Sequence, residues 1–222
     1  MERSKSLIIT SDASGAYKAA CDRMLVMIVD IIDMSTTLES ALDAGAYAVL
    51  GCSPDVTRAP VKVAPMEIGR EAGRLSAQAG TGIIIIAEPR IGKDEERLAR
   101  CTQVIKGIEA EHGQIEAVIP NIGAEVPKLV DFKDKVVIAV TETGGAAFDA
   151  AFRVSRQVIT GTVARTYRQK GLEPALSAVK RARDSIRNDN PGIAIVAASR
   201  NSMEDILAAQ FIANLLLKEG WA

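Results

Sequence analysis

Two stretches of sequence decide the fold: residues 82–92 read GIIIIAEPRIG, and residues 192–200 read GIAIVAASR. In each, a continuous apolar run of strand length leads into a polar turn. Apolar and polar residues do not alternate within the run. A strand that helices cover on both faces has this pattern, because neither face meets water. These runs therefore predict central strands of a parallel or mixed sheet.

Similar β-branched runs recur along the chain, and most are followed by a polar or glycine-containing turn and then by apolar residues at helical spacing. This alternation is typical of repeated βα units. Strands are predicted at 6–10, 25–30, 46–51, 82–87, 115–119, 135–141 and 192–197, with a possible eighth at 157–161. Helices are predicted at 37–44, 65–79, 94–111, 146–155, 173–187 and 203–218. The predicted fold is α/β, a mostly parallel or mixed sheet covered by helices on both faces.

The length of 222 residues fits either a single α/β unit spanning 1–222 or two similar small lobes. The loosest stretch is 111–135, which contains Pro120, Gly123 and Pro127. Prolines and glycines mark turns and loops. This stretch is therefore a possible lobe boundary.

The charge distribution excludes several classes of partner. The formal net charge is −1, and acidic and basic residues are mixed along the chain, unlike the basic surface of a nucleic-acid-binding protein. The apolar runs are far shorter than the roughly 20 residues that a membrane-spanning helix requires. No secretory signal is recognised. We therefore expect a cytoplasmic protein with no nucleic-acid or membrane partner and a small-molecule ligand.

The reactive residue types are few. The three cysteines are scattered and never form a C-x-x-C pair, and His112 is the only histidine. This argues against a disulfide framework, a zinc site and a two-histidine mechanism. The sequence also lacks a nucleophile elbow and a dinucleotide fingerprint, so covalent hydrolases and dehydrogenases are disfavoured.

The first polar turn follows the strand at 25–30 and carries Asp30, Asp33, Ser35 and Thr36. Ligands of open α/β sheets bind outside the carboxyl ends of the strands, where helix N-termini offer free N–H groups. Asp30 and Asp33 could hold a hard cation such as Mg²⁺. Alternatively the hydroxyls only cap the helix, because residues 36–39 match a capping box.

The second polar turn places Glu88 and Arg90 directly after the strand at 82–87. Glu88 could ligate a metal ion or act as a general base, and Arg90 could clamp an anion. A solvated ion pair within the loop is the alternative.

The third polar turn carries Glu142, Thr143, Gly144 and Gly145 at the start of a helix. Paired glycines let backbone N–H groups approach an anion. The pattern is neither a P-loop nor a dinucleotide motif, so a tight turn with no ligand is the alternative.

The fourth polar turn carries Asn201 and Ser202. Both residues fit N-terminal capping pairs, which is again the plain alternative to ligand binding. Four polar turns at strand ends are nevertheless more than helix caps alone require.

In their order, these turns resemble those of the 2-phosphosulfolactate phosphatase family, Mg²⁺-dependent hydrolases of coenzyme M biosynthesis. Residues 30–37, DIIDMSTT, correspond to the family's DVLRxSTT turn, and residues 202–205, SMED, to its SLED helix start. Residues 87–90, AEPR, resemble its GER turn, and residues 142–147, ETGGAA, its TNGTRA turn. The similarity spans most of the chain.

The departures from the family pattern fall on charged positions. Asp33 and Ala146 stand where the family has arginines, and Thr143 stands where it has asparagine. Each charge-assisted pair with a phosphate is worth roughly 1.5–3 kcal/mol. A dianionic ligand would therefore bind less tightly here unless other groups replace the missing arginines.

The resemblance implies a divergent Mg²⁺-dependent phosphoric monoester hydrolase that acts on a small phosphorylated acid and forms a homodimer. Asp30, Asp33 and Glu88 are the expected catalytic residues, with Mg²⁺ held by Asp30 and Glu88. The expected ligand-binding residues are Ser35, Thr36, Arg90, Glu142, Thr143, Gly144, Gly145, Asn201 and Ser202. One alternative is a non-catalytic small-ligand binding or regulatory protein that keeps the fold. Another is an enzyme whose carboxylates act on a carboxylate or amide substrate.

Overall fold

The chain has the predicted α/β architecture in the computed structural model, which describes residues 5–221. The strands are β1 (Ser6–Ser11), β2 (Leu25–Val29), β3 (Ala48–Cys52), β4 (Ile83–Ala87), β5 (Ile115–Pro120), β6 (Val136–Val140), β7 (Val158–Thr160) and β8 (Gly192–Ala197). The helices are α1 (Asp12–Cys21), α2 (Met34–Asp43), α3 (Pro65–Ala79), α4 (Asp94–Ala99), α5 (Thr102–Ala110), α6 (Thr143–Phe152), α7 (Glu173–Ser185) and α8 (Met203–Lys218), with a 3₁₀ helix at Gly123–Lys128.

The strands form two four-stranded sheets in which every pairing is parallel. The first sheet has the order β1-β8-β2-β7 and uses both ends of the chain, while the second has the order β3-β6-β4-β5 and uses its middle. The stretch 111–135, expected as a possible lobe boundary, does not separate the sheets. It contains β5, and β4 before it and β6 after it pair with each other in the second sheet.

Alternate side chains of the first sheet face two different cores. Leu25 and Met27 pack with the alanine-rich faces of α7 and α8. Val26 and Ile28, pointing the other way, join a larger core that also contains the four isoleucines of β4. Because α6 contacts both β2 and β3, it lies between the two sheets. Helices thus cover both faces of the central strands, as the continuous apolar runs predicted.

One helix was missed and another is interrupted. α1 was not predicted, because its buried face consists of alanines such as Ala16 and Ala19 and has little apolar contrast. The helix predicted at 94–111 is broken between α4 and α5, where the Arg100 carbonyl accepts a hydrogen bond from Asp55 N–H at 3.0 Å and the Asp55 carboxylate accepts one from Gln103 N–H. A neighbouring loop therefore satisfies groups that a continuous helix would pair internally.

Within residues 5–221, no helix combines the length and apolar character needed to cross a lipid bilayer.

Candidate functional site

The carboxyl ends of β2 and β6 meet at Asp30, although the two strands belong to different sheets. The backbone N–H groups of Met34 in α2 and Gly144 in α6 lie close enough to the Asp30 carboxylate to lower its pKa. The contact with α6 requires glycine, because a Cβ atom at position 144 would lie 2.0 Å from Oδ2 of Asp30. The first and third polar turns therefore form one structural unit.

Asp30 has the most unusual electrostatic environment of the predicted site residues. Asp30 is only 2% exposed, and this burial raises the pKa of its carboxyl group from 3.8 to about 7. The neighbouring carboxylates of Asp205 and Asp33 raise the pKa further, while the two backbone N–H donors oppose the shift. A carboxyl group that titrates near neutral pH is suited to general acid–base chemistry.

Asp33 joins the first polar turn to the second. It forms an ion pair with the Arg90 guanidinium, whose Nε also donates to the Asn121 carbonyl at 3.0 Å. The Asp33 side chain is 13% exposed and that of Arg90 is 53% exposed. The loop ion pair considered for Arg90 is thus present, but it forms with Asp33 across two turns. It leaves the guanidinium open to solvent.

Glu88 lies among both acidic and basic neighbours. Its pKa is raised, first by burial and also by the carboxylates of Glu142 and Asp33, while Arg100 and Arg90 lower it. Arg100 at the end of α4 forms an ion pair with Glu142. Because Asp33 raises the pKa of both Asp30 and Glu88, these carboxylates belong to one electrostatic cluster. Arg100 was not predicted from the sequence.

The hydroxyls of the first turn are already hydrogen-bonded. Ser35 Oγ donates to the Ile28 carbonyl at 2.8 Å and accepts from Asp30 N–H at 3.1 Å. Thr36 Oγ1 donates to the Ile31 carbonyl at 2.9 Å. Both residues are buried. They stabilise the turn that presents Asp30, which is a supporting role.

The fourth turn reaches the site through Asp205, which was not among the predicted site residues. The Asp205 carboxylate accepts hydrogen bonds from Ile31 N–H at 2.8 Å and Ser199 N–H at 3.3 Å. Ser202 caps α8 by accepting from Asp205 N–H, and Asn201 is exposed. Ser202 therefore acts as a helix cap, which is the alternative to ligand binding. Asp205 links α8 to the first turn through its hydrogen bond from Ile31.

Asn121 is a second unpredicted member of the site and follows β5 directly. It is 1% exposed, and its Oδ1 accepts hydrogen bonds from Thr37 Oγ1 at 2.7 Å and Gly123 N–H at 3.2 Å. Its Nδ2 has no hydrogen-bond partner among residues 5–221. Its position at a strand end, two residues before a glycine, is the sequence signal that identifies it.

The remaining predicted residues of the third turn differ in exposure. Gly144 and Gly145 are buried at the start of α6, and Thr141 Oγ1 accepts a hydrogen bond from Gly145 N–H at 2.9 Å. Glu142 and Thr143 are exposed. The Gly145 N–H group is therefore occupied by Thr141, and the Gly144 N–H group lies beside the Asp30 carboxylate.

The carboxylates do not form a ready-made metal centre. In the described part of the chain, no group of three or more histidine, cysteine, aspartate or glutamate side chains is arranged to hold a metal ion. Mg²⁺, however, commonly takes only one or two carboxylates and completes its shell with water and substrate phosphate. Asp30 and Glu88 share the neighbour Asp33, whose charge raises the pKa of both.

Negative charge exceeds positive charge in this cluster. We refer to it as the acidic junction, and its charged members are Asp30, Asp33, Glu88, Arg90, Arg100, Glu142 and Asp205. Both arginines pair with carboxylates of the same cluster. An anionic ligand therefore needs either an accompanying cation or release of an arginine from its carboxylate partner.

No protein-family model matches the chain, and no curated protein matches it.

Proposed function

We propose that the acidic junction is the active site of a divergent Mg²⁺-dependent hydrolase that acts on a small phosphorylated acid. The observation that carries this proposal is the meeting of three strand ends from two sheets around Asp30, Asp33 and Glu88. The resemblance of the same turns to those of 2-phosphosulfolactate phosphatases supports it, as does the order of the turns along the chain.

The acidic charge accounts for the need for a cation. A phosphorylated acid is repelled by the carboxylates of the junction unless a divalent ion enters with it. Asp30 and Glu88 would hold this ion together with phosphate oxygens and water. A bound Mg²⁺ would neutralise charge on the phosphoryl group and lower the pKa of a coordinated water.

The chain's own residues position the ligand in this proposal. Arg90 is more than half exposed and can exchange Asp33 for a ligand oxygen, which gives a bidentate clamp on an anion. The raised pKa of Asp30, about 7, applies to the metal-free protein, because a divalent cation bound at this carboxylate would hold it ionised. Asn121 Nδ2 offers a further donor beside Arg90.

Calorimetry with Mg²⁺ and Mn²⁺, with and without inorganic phosphate, tests the proposal. Binding of metal with phosphate should be lost in Asp30→Asn and Glu88→Gln and retained in Glu109→Gln, which changes an exposed carboxylate on α5. A screen of phosphomonoesters should then show Mg²⁺-dependent phosphate release. Absence of release from every ester tested would refute the hydrolase proposal.

A non-catalytic ligand-binding protein is the second candidate. It is favoured by the intramolecular pairing of both arginines and by the hydrogen-bonded hydroxyls of Ser35 and Thr36. In that case small anions should raise the melting temperature of the wild type but not of Arg90→Ala, with no turnover. Metal-dependent turnover would exclude this candidate.

A further inference from the structure

A cavity of about 390 Å³ lies at the amino end of the first sheet, between β7 and the end of α7. Its lining includes Arg156 and Val158 at the start of β7, and Ile186 and Arg187 directly after α7. Cavities that bind small molecules commonly have volumes of about 300–1,000 Å³. This cavity, which we call the amino-end cavity, is therefore large enough for a small ligand.

The amino-end cavity and the acidic junction lie at opposite ends of β2. Leu25, the first residue of β2, lines the cavity, whereas Asp30 follows the last residue of the strand. Because a strand rises about 3.3 Å per residue, Leu25 and Asp30 are separated by roughly 16 Å. A small ligand in the cavity therefore occupies a different site from a ligand of the junction.

Two arginines of the cavity lack a close carboxylate partner. Most arginines of the described residues pair with a carboxylate, as Arg181 does with Glu39 at 2.6 Å. Within residues 5–221, Arg187 forms no ion pair, and Arg156 approaches only Glu71, whose Oε2 lies 3.9 Å from its Nε. Both guanidinium groups therefore bring positive charge to the cavity without a close counter-charge.

Neighbouring groups hold both guanidinium groups in place. The guanidinium carbon of Arg156 lies 4.2 Å from the centroid of the Phe152 ring. The side-chain amide of Gln157, with its oxygen turned toward Arg187, accepts hydrogen bonds from Nε and Nη2 of Arg187, both at 3.0 Å. A neutral amide oxygen thus occupies the position in which a guanidinium group binds a carboxylate or phosphate. A ligand oxygen that replaces it keeps the two hydrogen bonds and neutralises charge.

β7 adds a backbone donor to the lining. It lies at an edge of the first sheet, and among the described strands it pairs only with β2. Val26 N–H donates to the Gln157 carbonyl at 2.9 Å, so the backbone groups of Gln157 face β2. Successive residues of a strand direct their N–H and C=O groups to alternate sides. The Val158 N–H group therefore points away from β2, on the side that no described strand covers.

The lining has an excess of positive charge. Its one carboxylate belongs to Asp184, which is 66% exposed and lies 3.8 Å from the Lys180 ammonium group. Two arginines and one aspartate give the lining a net charge of +1. The acidic junction has the opposite balance, so an anion is attracted to the amino-end cavity without an accompanying cation.

We propose that the amino-end cavity binds a small oxyanion, whose phosphate or carboxylate group is held by Arg156, Arg187 and the Val158 N–H group. Guanidinium groups match both kinds of oxyanion, because each presents two oxygens to two parallel N–H donors. The site needs no metal ion and lies away from the residues proposed for catalysis. It is therefore independent of whether the acidic junction is an active site.

Isothermal titration calorimetry in the presence of EDTA tests the proposal without metal or turnover. Pyrophosphate and succinate represent the two kinds of oxyanion, and the wild type should bind at least one of them. Arg156→Gln and Arg187→Gln should each weaken this binding by about 10- to 100-fold, since each removes a charge-assisted contact. Arg168→Gln removes an exposed arginine from the loop after β7 and should bind like the wild type. A wild type that binds neither anion, or equal weakening in all three variants, would overturn the proposal.

The same titrations in an Arg90→Ala background separate this cavity from the acidic junction. That change removes the anion clamp proposed for the junction, so binding in the cavity should persist and should still depend on Arg156 and Arg187. Loss of all anion binding in Arg90→Ala would place the anion at the junction and refute a site at the amino end.

Amide chemical shifts of the wild type locate the anion without any substitution, which keeps the test valid if a variant fails to fold. In ¹H–¹⁵N spectra recorded with EDTA, the tighter of the two anions should shift the signals of Val158 and Ile186. The signal of Gly144 at the acidic junction should not move. Shifts at Gly144 with none at Val158 would contradict the proposal.

Discussion

Replacing Asp30 by asparagine tests the electrostatics of the acidic junction most directly. Burial, with Asp205 and Asp33 adding to it, raises the pKa of Asp30 from 3.8 to about 7. The carboxyl regains its ordinary pKa in the unfolded chain. Between these two pKa values the unfolded chain releases a proton that the folded protein retains. The stability contributed by Asp30 therefore falls as pH rises through this window and is constant above it.

The magnitude follows from the size of the shift. One pKa unit corresponds to about 1.36 kcal/mol, so titration of Asp30 should lower the free energy of unfolding by about 2 kcal/mol between about pH 5 and pH 7. Asparagine is uncharged, and its Oδ1 can still accept a hydrogen bond from Gly144 or Met34. Glu88 and Asp149, whose pKa values are also raised by burial, keep their titrations in both proteins. The difference between the proteins therefore reports Asp30 together with Asp205, the carboxylate whose charge raises its pKa.

Urea denaturation followed by circular dichroism at about pH 5, 6 and 7 provides the measurement. Relative to the wild type, Asp30→Asn should become more stable by about 2 kcal/mol across this range. Asp189→Asn, at an exposed loop position, should follow the wild type at each pH. If the Asp30→Asn and wild-type curves run parallel, Asp30 is ionised throughout and the reasoning fails.

Two further predictions concern Gly144 in α6 and the buried Glu39 in α2. Gly144→Ala should lower the free energy of unfolding by about 2 kcal/mol or more, because its Cβ would meet Oδ2 of Asp30. In urea titrations the exposed Thr143→Ala should have little effect, and equal effects of the two changes would contradict the close contact. Arg181→Met should cost about 3–5 kcal/mol, since it strips the buried Glu39 carboxylate of the guanidinium 2.6 Å away. Adding Glu39→Gln should restore part of the loss, and a double variant no more stable than Arg181→Met would count against an uncompensated buried charge.

The strands and most helices could be predicted because their signals are local. Four consecutive isoleucines in β4 and the alternating packing of β2 both reflect burial on two faces, and the parallel α/β fold is confirmed. α1 could not be predicted in the same way. Its buried residues Ala16, Ala19 and Ala20 allow close packing on α6, but they contrast little with the rest of the helix. The partner of α1 is distant in sequence.

The candidate site was predicted at the level of turns more than of individual side chains. Asp30 and Gly144, from two different polar turns, lie in close contact. In the fourth turn, however, Asp205 makes the connecting hydrogen bonds, and Asn201 remains exposed. A capping pattern shows that several residues can bond near a helix start, but it does not show which of them reaches another loop.

Sequence by itself determined the βα alternation, the burial of the central strands and the polar character of the turns that follow them. These properties depend on side-chain chemistry and spacing within one segment. Tertiary structure alone decided that α6 lies between two sheets and brings Gly144 against Asp30, that Arg90 pairs with Asp33, and that β1 lies at an edge. The raised pKa of Asp30 is also decided by the tertiary structure, because burial and neighbouring charge arise only when distant segments pack together.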